Sequence, residues 1–294
     1  MPEVSSIQDT TVLIKTFERP DCLKAILASI REFYPDIQII VADDSKAPYA
    51  PEIARAYKNI ECVVLPFDVG ISRGRNEMLK RVKTKYFVLC DDDLLFFENT
   101  KLERFRKILE ETDAELVGGV FNDRGPTGAF DRPSTYAGRL VLDQSAGSLR
   151  LELIETDKDL IKCDTTHNFF MAYTEAIRQK PGGWDPQFKI IEHEDFFLRA
   201  KQKGLVVAFT PTVSVNHTGA RSQAYNAYRK DRRAKYYYRL FKKWKIKSLG
   251  WNNGWPTITL HQVEPDWYKA VLRQKFIPWE LLNKLRGKRQ AAAE

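Results

Sequence analysis

The stretch KYFVLCDDDLLFF, residues 85–97, sets three adjacent carboxylates, Asp91, Asp92 and Asp93, between two strongly apolar flanks. YFVLC (86–90) reads as a buried strand, so the triplet falls at a strand's C-terminal end. Upstream, TVLIK (11–15), IQIIVA (37–42) and ECVVLPF (61–67) are short apolar runs of the same kind. Helical patterns separate them. One starts at about Pro20 and carries Leu23, Ile26, Leu27 and Ile30 on one face; another runs through Arg75, Met78, Leu79 and Val82. Strands alternating with helices predict an α/β chain of β-α-β units on a mostly parallel sheet. A helix over about 100–112 and the strand AELVGGVF (114–121) continue the pattern, and residues 122–147 predict loops and hairpins over the sheet. Open sheets of this class bind ligands outside the carboxyl ends of their strands. There the triplet is joined by KTFERP (15–20) and ADDSK (42–46).

At 294 residues with 43% hydrophobic content, the chain can build a full core. Its four cysteines include no C-x-x-C pair and read as free thiols of a reducing compartment. The N-terminal MPEVSSIQDT has no apolar signal core, and no run is long and apolar enough to span a bilayer. A soluble, cytoplasmic chain is expected. Charge is unevenly spread: residues 221–294 hold 18 Lys and Arg against 5 Asp and Glu, the first 220 hold 29 against 34. The tail therefore predicts a basic, aromatic-rich extension packed on an acidic body.

Three neighbouring carboxylates repel one another unless a cation sits among them. The bland reading is a loop with one Asp capping a helix; the chemical one is a hard divalent ion, Mn2+ or Mg2+, that clamps a diphosphate as a phosphate-linked group departs. Downstream, GGWDPQFKIIEHEDFFLRA (182–200) sets Glu192, His193, Glu194 and Asp195 ahead of a helical pattern. Acids there suit a helix dipole, and one could serve as a general base. His217, ending the strand in VVAFTPTVSVNHTG (206–219), could complete a metal site. No Ser-His-Asp arrangement suggests a covalent nucleophile.

IKTFERPDCLKAILASI, IIVADDS, GISRGRNEML, YFVLCDDD, GGWDPQF, EHEDFFLRA and VNHTG, in that order across residues 11–219, resemble the GT-A glycosyltransferases of the family 2 type, which use nucleotide-diphosphate sugars. SIREFYPDIQIIVADDS and TKYFVLCDDDLLF look closest to the ganglioside β1,4-N-acetylgalactosaminyltransferases. The resemblance implies a GT-A catalytic domain over residues 1–220, nucleotide-binding over about 1–121 and acceptor-binding over about 122–220. Thr16, Glu18, Arg19 and Asp43 or Asp44 would line the nucleotide pocket, with Arg75 and Asn76 near the diphosphate. Asp91 and Asp92 would sit by the nucleotide sugar, and Asp91, Asp93 and His217 would hold the metal. Asp195 would act as the base. Glu194, able to exchange roles with it, would position acceptor hydroxyls beside His193. Trp184 reads either as a flat face for a sugar ring at the acceptor or as a large buried aromatic anchor. CDTTHNFFMA (163–172) resembles the family's acceptor-side strand, with His167-Asn168 in a different order.

The reaction implied is a single displacement with inversion, moving a sugar from a UDP-linked donor to a hydroxyl of a glycan or glycolipid and forming a β-glycoside. A retaining transferase on the same fold, or a non-catalytic nucleotide- or sugar-binding module, are the competing readings. AYRKDRRAKYYYRLFKKWKIK (227–247), with Tyr228, Tyr237, Leu240, Phe241 and Trp244 at helical spacing, either packs on the body or rests on an anionic membrane surface. Nucleic acid is disfavoured, since only charge speaks for it.

Overall fold

The computed structural model describes residues 7–155, 157–219 and 223–265. β1 (Thr10–Thr16) is buried throughout and leads into α1 (Pro20–Phe33), whose buried face is Leu23, Ile26, Leu27 and Ile30. Pro20 opens that helix where its missing N–H costs nothing. β2 (Gln38–Asp43), α2 (Ala50–Ala54), β3 (Ile60–Val64), α3 (Ile71–Arg81) and β4 (Tyr86–Asp91) follow. β1 pairs parallel with β2 and β4, and β2 with β3.

Next come β5 (Leu94–Leu95), α4 (Leu102–Glu111), β6 (Leu116–Asp123), β7 (Arg132–Ser134), β8 (Gly138–Asp143) and β9 (Ser148–Leu153). They are followed by β10 (Ile161–Cys163), β11 (Phe170–Tyr173), α5 (Thr174–Gln179), α6 (Glu192–Gln202) and β12 (Val207–His217). The main sheet runs in the order β10-β12-β6-β11-β4-β1-β2-β3. β11 is antiparallel to β4 and β6, and β10 to β12, so the other six strands of this row share one direction.

Both faces of the sheet are covered, which is why its strands read as unbroken apolar runs. Val12, Ile14, Val41, Val88 and Cys90 pack on one side with α1 and α4; Leu13, Ile40, Phe87 and Leu89 pack on the other with Trp184, Phe196 and Phe197. The stretch expected as loops and hairpins holds β7 and β8, and β8 pairs with β9 in a separate sheet.

Beyond residue 220, α7 (Gln223–Trp244), β13 (Ser248–Trp251), β14 (Ile258–Thr259) and α8 (Leu260–Val263) are woven into the rest. β13 lies parallel to β9, Ser248 opposite Ser148, in the sheet β14-β13-β9-β8. Tyr236, Tyr237, Leu240, Phe241 and Trp244 belong to the core that contains Leu13 and Phe87. Trp251 is half-buried and Trp255 exposed. Trp267, Trp279 and the side chain of Tyr228 lie outside what is described. Among the described residues no helix is long and apolar enough to cross a membrane.

Candidate active site

The ends of β1, β2 and β4 converge with the first turn of α6 on a cleft of about 240 Å³. Asp91 ends β4, and Asp92 and Asp93 form the turn into β5, which divides the triplet. Asp91 and Asp93 line the cleft, while Asp92 turns beneath it, fully buried. There Thr16 Oγ1 donates to Asp92 Oδ2 at 2.7 Å, and Arg19 pairs with Asp92 and reaches Asp93 Oδ2 at 2.9 Å. Burial pushes the Asp92 carboxyl up to about 7 against the pull of Arg19. Asp92, expected at the nucleotide sugar, is instead the buried anchor of Thr16 and Arg19, which do line the cleft.

Strand pairing brings His217 to the triplet across more than a hundred residues. It sits opposite Leu94 in β5 and Asp123 in β6, and Thr218 N donates to Asp93 O at 2.9 Å. Its Nε2 lies 3.6 Å from Asp93 Oδ2, and its Nδ1 lies 2.6 Å from Asp123 Oδ1. Burial alone would lower its pKa, but Asp93 and Asp123 push it up to about 9. A carboxylate on Nδ1 that leaves Nε2 facing a second carboxylate is how proteins orient a metal-binding imidazole. Among the described residues no three His, Cys, Asp or Glu side chains already form a cage. Two protein ligands with the remaining positions taken by water or phosphate oxygens suit Mg2+ or Mn2+ at a diphosphate, so the donor set fits.

Arg75, almost fully buried, links the carboxylate end to α6: Nη2 donates to Asp91 Oδ1 at 2.8 Å and Nη1 to Glu192 Oε1 at 2.9 Å. Glu192 lines the cleft. The residue before it, Ile191, is held left-handed at φ 61°, unusual for a β-branched side chain and the kind of strain that gathers at working sites. Asp195, expected as the base, is elsewhere. It is fully buried, accepting from Arg199 Nε at 2.9 Å and Trp244 Nε1 at 3.0 Å, with Lys243 Nζ at 2.5 Å. Its carboxylate ties α6 to α7 and does not line the cleft.

Glu194 is half-buried beside Tyr136, and burial raises its carboxyl to about 7. His193, expected at the acceptor, is wedged between Thr165 Oγ1 and Asn168 Oδ1, both at 3.1 Å, and burial drops it to about 3. Its contribution is to fix Asn168, a cleft residue. Trp184, expected to face a sugar, is core: it stacks on Phe196 with ring centroids 4.8 Å apart. Asn76 clamps it, Nδ2 donating to Trp184 O at 2.6 Å and Oδ1 accepting from Trp184 N at 2.8 Å, and so faces away from the cleft.

Of the two aspartates ending β2, Asp44 lines the cleft, paired with Lys15 and accepting from Gly70 N at 2.8 Å. Asp43 does not. It accepts from the backbone N–H of Ser45, Tyr49 and Ala50 and so starts α2. Glu18 also misses the cleft, accepting from Lys46 N at 2.7 Å. The sequence reading missed Lys15, Asp68, Lys189 and Arg232, all in the lining, and named Glu192, also there, without choosing it as the base. A lysine closing the buried strand TVLIK was a usable signal for Lys15; Asp68, Lys189 and Arg232 meet only in three dimensions.

The basic face of α7 is partly spent inside the molecule: Arg232 on Asp68, Arg239 on Gln187 O, and Lys243 on Asp185 and Asp195. A second cavity, about 400 Å³, is lined by Asp123, whose carboxylate bonds His217 of the cleft. Arg124, Arg132, Tyr136, Asn253 and Trp255 are among its walls.

Residues 11–181 match the model of the family described as Glycosyl transferase family 2. The chain is 37% identical over 214 residues to β-1,4 N-acetylgalactosaminyltransferase 2 of Mus musculus, covering 70% of this chain and 39% of that one. To β-1,4 N-acetylgalactosaminyltransferase 1 of Homo sapiens it is 34% identical over 198 residues, covering 64% and 35%. It thus spans well under half the length of these relatives. Among solved structures, S. aureus TarS 1-349 resembles it with a TM-score of 0.56 at 14% identity, over 80% of this chain and 64% of that one. The complex of the same protein with UDP-GlcNAc does so with a TM-score of 0.56 at 14% identity, over 74% and 60%. At such identity the likeness is one of fold.

Proposed function

The chain belongs to glycosyltransferase family 2 and has the GT-A fold, and from that premise we propose that it is a metal-dependent, inverting transferase that moves a sugar from a UDP-linked donor to a hydroxyl of a glycan or glycolipid. The observation that carries the reading is the single cleft in which Asp91, Asp93 and His217 meet Glu192. In this reading residues up to about 121 hold the donor and residues of about 122–220 face the acceptor. TarS, which shares the fold, is described with UDP and with UDP-GlcNAc. The names of the mammalian relatives make UDP-N-acetylgalactosamine the first donor to try.

Asp93 and His217, with Asp91 alongside, would hold Mn2+ or Mg2+, which would offset the charge gathering on the departing diphosphate. Lys15 and Arg19 add positive charge on the same wall. Glu192 takes the proton of the acceptor hydroxyl, whose oxygen bonds to the anomeric carbon as the bond from that carbon to the diphosphate oxygen breaks. Attack from the face opposite the leaving group inverts the centre. The second cavity is the acceptor's place: exposed Trp255 and Tyr136 supply the aromatic surface first sought in Trp184, and Glu194 stands beside it. Exposed Lys242, Lys245 and Lys247 remain for a peripheral membrane contact.

The test is a panel of UDP-sugars with Mn2+, scored for transfer and for the anomeric configuration of the product. Glu192→Gln is expected to lower turnover about 100-fold or more while still binding UDP, and to cost some stability, since it removes one of the two carboxylates that buried Arg75 serves. Asp195→Asn, which removes a buried charge facing Arg199 and Lys243, is expected to cost on the order of 3 kcal/mol of stability. Full turnover in Glu192→Gln would reject that base, full turnover in EDTA the metal, and a retained configuration the single displacement.

A further inference from the structure

One wall of the cleft comes from a helix outside the matched family segment. Arg232, on α7, donates from Nη1 to both carboxylate oxygens of Asp68 at 2.7 Å, and Lys189 Nζ reaches Asp68 Oδ2 at 2.9 Å. All three line the cleft. Arg19 and Arg75 line it too, but each is almost fully buried and each serves two carboxylates, Asp92 and Asp93 or Asp91 and Glu192. Moving either would leave a buried carboxylate without its cation, a costly state.

Asp68 is built differently. It takes two cations, so it keeps Lys189 when Arg232 leaves. Arg232 and Lys189 also retain 31% and 35% side-chain exposure, so rearranging them demands little desolvation. The fixed members are Asp68, left-handed at φ 56° with its N–H on Asp44 O at 2.9 Å, and Lys189, whose carbonyl accepts from Ile71 N at 3.0 Å. The movable member is the long side chain of Arg232, and a guanidinium is well shaped for phosphate oxygens.

We infer that Arg232 is a donor-binding residue that exchanges the Asp68 carboxylate for the phosphates of a nucleoside diphosphate, while Lys189 continues to neutralise Asp68. The inference rests on the cleft being a nucleotide-sugar site and adds a role for Asp68: by competing for Arg232, it weakens the hold on the nucleotide and speeds its release.

Calorimetry with UDP and with uridine, at one fixed Mn2+ concentration, tests this. Arg232→Ala is expected to weaken UDP about tenfold or more and leave uridine unchanged, with Arg232→Lys recovering part of the loss. Asp68→Asn, which tolerates the left-handed backbone, is expected to tighten UDP severalfold and slow its dissociation in stopped flow. Equal weakening of uridine and UDP in Arg232→Ala would make Arg232 structural and overturn the inference. So would weaker UDP binding in Asp68→Asn, which would make Asp68 itself a donor contact. If the wild-type protein failed to bind UDP, the donor reading would fall first and the inference with it; binding in the wild type with either contrary variant result removes only the inference.

Discussion

An imidazole held between two carboxylates, as His217 is between Asp93 and Asp123, keeps its proton well above neutral pH. With a folded-state pKa of about 9 against an ordinary 6.5, the stabilisation from charged His217 is fully present below about pH 6.5 and is lost as the pH rises through about 9. The same proton stands where a divalent cation would bind. Mn2+ affinity, read by calorimetry across that range, is therefore expected to rise with pH and to release close to one proton; in His217→Gln the rise should flatten. A flat profile in the wild type would remove His217 from the metal site. At this scale the sequence pointed to the clusters that border the cleft but not always to the member that faces it. DDD and EHED announce acidity, yet which acid faces the cleft depends on the turn between β4 and β5 in the first and on a left-handed Ile191 in the second. Hence Asp92 and Asp195 turned out to be buried anchors, and Glu192, quoted but not chosen, reached the cleft.

Short connections hold the cleft open to ligand and fix its walls. Gly70, which caps α3 at φ 93°, lies where an added Cβ would come within 2.5 Å of the Lys189 Cα, so two loops far apart in sequence touch through it. Gly70→Ala is expected to cost about 2 kcal/mol or more, from the unfavourable backbone and the displaced neighbour, in urea unfolding. It should also weaken UDP binding, because Lys189 and the Asp44 bond to Gly70 N shift together; unchanged values for both would mean the loops yield freely. Long elements were legible before the structure. The apolar spacing of α1 and the runs of β1, β2 and β4 are set by local chemistry, and their ends fell within a residue or two of expectation. The β8–β9 hairpin was legible only as an unplaced hairpin within residues 122–147, since much of it is only partly buried and it pairs with β13, a hundred residues on.

For the molecule as a whole, α7 decides where the core ends. Phe241 is buried at 1% exposure within the cluster that also holds Trp184, Phe196 and Phe87. Phe241→Ala is expected to cost about 3–5 kcal/mol in urea unfolding, in one cooperative transition that includes the catalytic half. A separate early transition, with the donor half unfolding as in wild type, would instead make the C-terminal segment an independent unit. Alternation of strands and helices, acidic strand ends and the basic tail are properties of neighbouring residues, so sequence alone determined the α/β class, the end of the sheet that holds the cleft, and a basic aromatic helix in the tail, whose packing into the core only the structure decided. Contacts between residues a hundred positions apart belong to no local pattern. Only folding could put His217 beside Asp93, Glu192 on Arg75 and Arg232 on Asp68, because strand order and helix docking, rather than spacing along the chain, determine which charges become neighbours.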